Sequence, residues 1–183
     1  GLVGSEMCIR DSSNGTKTDL GTLGGTNSRG QGINASGQVV GDSNPSGSAA
    51  GHAFLYSNGS ITDLGTFGGT GSTASAINDH GQIAGDANLS GDSSYHAFLY
   101  SNGTKTDLGT LGGTNSTGNN ISSNGEVVGQ SQTRGNGAWH AFADLNGTML
   151  DLGTLGGTNS YGHAVNSSGS VVGSAQKSDG TQD

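Results

Sequence analysis

The sequence repeats itself every 44 residues. SNGTKTDLGTLGGTNS fills positions 13–28 and returns without a change at 101–116, with SNGSITDLGTFGGTGS at 57–72 and LNGTMLDLGTLGGTNS at 145–160. Four copies keep one register without insertion or deletion, so each must form the same unit and pack on its neighbours in the same way. A unit of this length has too few large side chains to offset its own ordering, and an array of stacked units is expected.

The turn signals repeat as strictly as the apolar residues. Asn-Gly recurs at Asn14-Gly15, Asn58-Gly59, Asn102-Gly103 and Asn146-Gly147, the pair that favours a two-residue type I′ hairpin. With Asn58 and Gly59 as the loop, Ser57 faces Ser60, Tyr56 faces Ile61 and Phe54 faces Asp63. His52, Phe54, Tyr56, Ile61 and Asp63 then share one face, while Ala53, Leu55, Thr62 and Leu64 take the other. Both faces carry apolar groups, so the sheet should be covered on two sides. About 20 residues later, GINASGQVVG and its relatives AINDHGQIAG, NISSNGEVVG and AVNSSGSVVG predict a second hairpin of two short strands around a four-residue turn ending in Gly. The GGTNS segments before it read as turns. No helical periodicity appears.

The expected fold is therefore all-β: tandem 44-residue, four-stranded antiparallel repeats, best matched by β-propeller blades, with a β-solenoid-like stack or sandwich as the alternative. The units divide as 13–56, 57–100, 101–144 and 145–183, the last stopping before its HAF strand, with 1–12 outside the repeat.

On this period an odd composition becomes intelligible. Leu, Ile, Val and Phe number only 31 of 183 residues while Gly numbers 37, a balance that by itself favours disorder. Yet charged residues are 11% of the chain, too few for a chain kept open by charge. A net charge of −8 with six Lys and Arg argues against nucleic acid as a partner, and no apolar run is long enough for a membrane span.

HAFLY, DLGTLGG and INxxGQVVG, repeated in this order, resemble the HAF family of bacterial extracellular repeats. The resemblance covers residues 13 to about 173, with HAF itself at 52–54, 96–98 and 140–142. It implies secretion or surface display and a repeat architecture, and it carries over no catalytic residue. The third copy departs from the pattern at Ala143-Asp144, where a frayed or edge strand is expected. Met7 to Ser12 (MCIRDS) resembles a translated sequencing adapter, so 1–12 are set aside from fold reasoning, and the chain is expected to be an internal fragment of a longer reading frame. The only cysteine, Cys8, lies in that segment, which leaves the repeats without thiols.

Three sets of polar residues are candidates for chemistry. The hairpin register sets His52 diagonal to Asp63, His96 to Asp107 and His140 to Asp151. A ring of metal or substrate sites is one reading, and a buried imidazole–carboxylate bond tying each unit together is the preferred one. Asp42 and Asn44, and Asp86, Asn88 and Asp92, alternate along a loop before Gly as in part of a calcium site. No bidentate Glu follows, and Gln130, Gln132 and Arg134 stand in the third copy, so a solvated turn is preferred and calcium is the only cofactor considered. Nine N-x-S/T sequons occur, and those at Asn14, Asn58, Asn102 and Asn146 fall on exposed turn tips as possible glycosylation sites.

Signatures of enzymes are absent from the sequence: HExxH, CxxC and GxSxG do not occur, and Gly69-x-Gly71-x-x-Ala74 is not followed by a helix. A non-catalytic extracellular protein with a structural, surface or matrix-adhesive role is expected, its partners being neighbouring repeats or copies of itself. The alternatives are a glycan-binding propeller module, with extracellular polysaccharide as partner, and a fragment of a propeller enzyme whose active site lies elsewhere.

Overall fold

The computed structural model describes residues 9–11, 15, 17–144 and 146–182. Three four-stranded antiparallel sheets follow one another along the chain. The first holds β3 (Gly24–Ile33), β4 (Val39–Pro45), β5 (His52–Ser57) and β6 (Ser60–Asp63); the second β7 (Gly68–Ile77), β8 (Ile83–Leu89), β9 (Tyr95–Ser101) and β10 (Thr104–Gly109). The third holds β11 (Gly112–Ile121), β12 (Val127–Thr133), β13 (Trp139–Asp144) and β14 (Met149–Asp151). Two-stranded sheets flank them: β1 (Ile9–Asp11) with β2 (Lys17–Asp19), and β15 (Gly156–Val165) with β16 (Val171–Lys177). No helix among the described residues is long and apolar enough to cross a membrane.

The Asn-Gly hairpins adopt the expected register. Phe54 pairs with Asp63, Tyr56 with Ile61 and Ser57 with Ser60. Asn58 and Gly59 have φ of 52° and 81°, and Asn102 with Gly103 repeats the pattern at 51° and 79°, as a type I′ turn requires at both central residues. The second hairpin departs from expectation in length, its second arm being a seven-residue strand, and most of all on its first arm. Its first strand is not a short apolar pair but a ten-residue strand that runs back through GGTGS, so those residues are strand and not turn. The reason is visible in its register, which shifts between Gly68 and Ser72 and again between Ala74 and Ala76. These bulges let a glycine-rich segment pair without any apolar alternation.

Neighbouring sheets stack face to face. The first strand of each later sheet lies on the second and third strands of the earlier one: β7 on β4 and β5, β11 on β8 and β9, β15 on β12 and β13. First strands also touch in succession, β3 to β7, β7 to β11 and β11 to β15, and fourth strands join the junctions through single side chains such as Leu108 of β10.

Adjacent residues of one strand feed two different cores because strand side chains alternate. Val40 and Ala53 of the first sheet pack with Ala74, Ile83 and Phe98 of the second. Ala84 and Ala97 of the second pack in turn with Ile121, Val127 and Phe142 of the third. Each sheet supplies one fully buried phenylalanine, Phe54, Phe98 or Phe142, worth about 2–3 kcal/mol of transfer free energy. A few Val, Ile and Leu side chains join each phenylalanine, and buried Ala and Ser fill space between them, which is how so few large side chains suffice.

Strand β13 is neither frayed nor an edge. It pairs with β12 on one side and β14 on the other, and Ala143 and Asp144 are 7% and 2% exposed. The Asp144 carboxylate accepts a bond from the Gly147 N–H at 3.0 Å, which holds the turn in place of the usual Tyr.

Candidate functional site

The three His–Asp pairs form as the register demands. His52 Nδ1 lies 2.8 Å from Asp63 Oδ2, His96 Nδ1 2.9 Å from Asp107, and His140 Nδ1 2.9 Å from Asp151, the imidazole N–H donating to the carboxylate in each. Each carboxylate also accepts the N–H two residues on, from Gly65, Gly109 or Gly153, at 2.7 Å. One side chain thereby fixes both the hairpin base and the exit of its fourth strand. The pairs are half-buried and not enclosed, with the His96 side chain 18% and the Asp107 side chain 39% exposed. The fourth strand is the outer edge of its sheet, so water reaches the carboxylate from that side.

Two of the carboxylates considered for calcium, Asp42 and Asp92, have protein partners. Asp42 accepts from Arg29 Nε and Nη2 at 3.1 and 2.9 Å on the paired strand. Asn44 donates to the Ala49 carbonyl at 2.7 Å, and Asn88 to Asp92 at 3.1 Å. Asp92 Oδ1 also receives the Thr70 N–H at 2.6 Å, and these bonds hold its carboxyl below the usual range. Asp86 occupies the place of Asp42 one repeat later, but Thr73 stands where Arg29 does. Burial, with the charge of Asp42 adding to it, pushes the Asp86 carboxyl up to about 6. Among the described residues no three His, Cys, Asp or Glu side chains converge on one point.

Of the turn-tip sequons, Asn58, Asn102 and Asn146 are exposed, and Asn14 lies outside the described residues, as does Cys8. Beside these tips is an open polar groove. In the first sheet Ser36, Gln38, Ser57 and Asn58 line about 220 Å³, and in the second His80, Gln82, Ser101 and Asn102, joined by Ser123 and Asn124 of the third, line about 520 Å³. The two are one site seen a repeat apart, built from carboxamides, hydroxyls and imidazole without a formal charge.

Two sets of polar residues escape sequence reasoning. Ser72, Ser116 and Ser160 are buried in first strands, and each hydroxyl accepts from the third strand of the preceding sheet: from Ala53 N at 2.8 Å, Ala97 N at 2.8 Å and Ala141 N at 2.9 Å. The buried Asn34 and Asn78 each reach across to a backbone carbonyl of the next repeat. Their only signal in the sequence is recurrence of place, the serine in all four copies and the asparagine in three, with Ser122 in the third.

The fold and these sites define a scaffold of stacked, near-identical antiparallel sheets with its polar groups placed at the junctions and turns. Comparison with protein-family models finds no match to this chain, and comparison with curated proteins finds none either.

Proposed function

We propose that the chain is part of a non-catalytic extracellular repeat protein with a structural, surface or matrix-adhesive role, its sheets serving as blades of a propeller. One observation carries this reading: the residues best suited to chemistry recur with the same local bonds in three successive sheets, each closing its own hairpin. A polar group spent three times on the same structural bond is scaffold. The approach of successive first strands supports the propeller geometry, and the likeness of HAFLY, DLGTLGG and INxxGQVVG to the HAF repeats supports surface display. Protease treatment of intact cells producing the protein, followed by immunodetection of the repeats, tests the location. Loss of the repeat signal on intact cells is expected, and a signal lost only after lysis overturns the proposal.

The recurring polar groove favours a second reading, a glycan-binding surface. Carboxamides, hydroxyls and an imidazole arranged at turn ends suit the hydrogen-bonding demands of neutral sugars, and repetition along the array suits a polymer. A polysaccharide array probed with the 183-residue chain should give hits that weaken with Gln82→Ala, and an array without hits removes this reading.

A further inference from the structure

Six asparagines stand directly before a glycine: Asn14, Asn58, Asn102, Asn124, Asn136 and Asn146. Asn14 lies outside the described residues, and the other five are all exposed. An asparagine so placed can lose its amide without an enzyme. The glycine nitrogen gives up its proton and bonds to the side-chain carbonyl carbon, the bond from that carbon to Nδ2 breaks, and ammonia leaves with a proton in place of that bond. Water then opens the cyclic imide at one of its two carbonyls. Opening at the former side-chain carbonyl gives aspartate, and opening at the backbone carbonyl gives isoaspartate, in which the chain runs through the former side chain. Either product carries one new carboxylate. Glycine favours closure because it has no side chain to crowd the ring.

Exposure does not separate the five, but hydrogen bonding does. At Asn124 both reacting groups are tied: Nδ2 donates to the Ser167 carbonyl at 2.7 Å, and the Gly125 N–H donates to the Ser122 carbonyl at 3.1 Å. The Asn136 side-chain oxygen accepts the Thr114 N–H at 2.9 Å, which holds its carboxamide against β11. At Asn146 the attacking nitrogen is the one engaged, since the Gly147 N–H donates to Asp144 Oδ1 at 3.0 Å. Asn58 and Asn102 have neither restraint. Among the described residues no hydrogen bond reaches their carboxamides or the N–H groups of Gly59 and Gly103, and nothing lies within 4 Å of a methyl group placed on either glycine. Their left-handed backbone, with φ of 52° and 51°, must relax before the ring closes, and at these two tips that relaxation breaks no side-chain bond.

We infer that Asn58 and Asn102 are sites of spontaneous deamidation in the folded protein, while Asn124, Asn136 and Asn146 are protected by their bonds. Asn58 lines the polar groove with Gln38, and Asn102 lines it with Gln82, so the groove passes from uncharged to acidic as the protein ages. Isoaspartate also adds a backbone atom to a two-residue turn whose length sets Ser57 opposite Ser60. The inference rests on the turns alone and on neither reading of the protein's role.

The chain is produced in a host that adds no glycans to asparagine, held folded at mildly alkaline pH, sampled over days, and digested for sequencing by tandem mass spectrometry. A gain of one mass unit is expected at Asn58 and Asn102 several-fold sooner than at Asn124, Asn136 or Asn146. In urea, where every Asn-Gly pair is equally free, the five should gain mass at similar rates. Asp144→Tyr gives the third sheet the residue that Tyr56 and Tyr100 supply in the others and removes the acceptor of the Gly147 N–H. In that variant, with the circular dichroism of the parent, Asn146 should rise to the rate of Asn58. A folded parent chain in which Asn58 and Asn102 gain no mass, or gain it no faster than the three bonded sites, overturns the inference. So does a folded Asp144→Tyr chain in which Asn146 reacts no faster than before.

Discussion

Asn34 and Asn78, 44 residues apart, are joined by a buried hydrogen bond in which Asn34 Nδ2 donates to the Asn78 carbonyl oxygen at 3.0 Å. Asn78 passes the same bond on, its own Nδ2 reaching the Ser122 carbonyl at 2.9 Å. The Asn78 side-chain oxygen meanwhile accepts from the N–H groups of His80 and Gln82, each at 3.0 Å. One carboxamide thus shapes a turn and ties its sheet to the next. Asn78→Ala removes the partner of two donors and two acceptors, the second acceptor being Gln82 Oε1, and should lower stability by about 2–3 kcal/mol in urea unfolding. A loss below about 0.5 kcal/mol would mean that the rung is not formed in solution.

Gly85 should be less replaceable than a turn glycine. A methyl group on it would overlap the Thr73 carbonyl oxygen across the bulge and stand 2.8 Å from the Phe98 ring. Neither backbone nor buried ring can yield, so Gly85→Ala should cost on the order of 3 kcal/mol. Gly59, by contrast, has nothing within 4 Å of an added methyl and a φ of 81°. Gly59→Val meets conformational strain only, at least ~1 kcal/mol. Thermal melts of the two variants should rank in that order, and the reverse ranking would contradict the packing described for the second sheet.

The contrast between these two glycines marks how far the sequence could be read. Asn58-Gly59 sets its own conformation, and a two-residue turn dictates every partner in its hairpin, so Tyr56 opposite Ile61 and His52 beside Asp63 follow from spacing alone. What Gly85 or Ser72 does depends on atoms brought in by another segment. Ser72 bonds to Ala53, a residue of the preceding sheet, and a serine within GGTGS has no periodicity to announce that. The same limit explains the half-buried His–Asp pairs: spacing supplies the bond, but its exposure depends on which strand lies at the sheet edge. The apolar alternation that normally marks a long strand is missing from β7 because glycine and serine do the packing there.

The His96–Asp107 bond should be worth less than a buried one. The carboxylate is 39% exposed, so water replaces the imidazole when it is removed. A double-mutant cycle with His96→Ala and Asp107→Ala should give a coupling of about 0.5–1 kcal/mol. Coupling well above that would show a pair more enclosed than its exposed carboxylate allows. No coupling at all would leave the repeated geometry without an energetic role.

Asp86 makes the stability of the array depend on pH in an unusual direction. Its carboxyl faces Asp42 and Tyr95, and burial with the Asp42 charge raises it from 3.8 to about 6. Between these values the unfolded chain releases a proton that the folded chain keeps. Stability from this residue is therefore greatest below pH 4 and falls as pH rises to 6, the loss persisting above it. A displacement of that size corresponds to about 3 kcal/mol at most. Asp86→Asn removes the titrating group while keeping its shape, and the third repeat already carries the neutral Gln130 at this place. The variant should be more stable than the parent at pH 7 and nearly equal to it at pH 4, as measured by urea midpoints. Other carboxylates titrate in both chains, so the difference between the two curves isolates Asp86. A difference that does not change between pH 4 and 7 would mean that Asp86 stays charged and solvated in the folded protein.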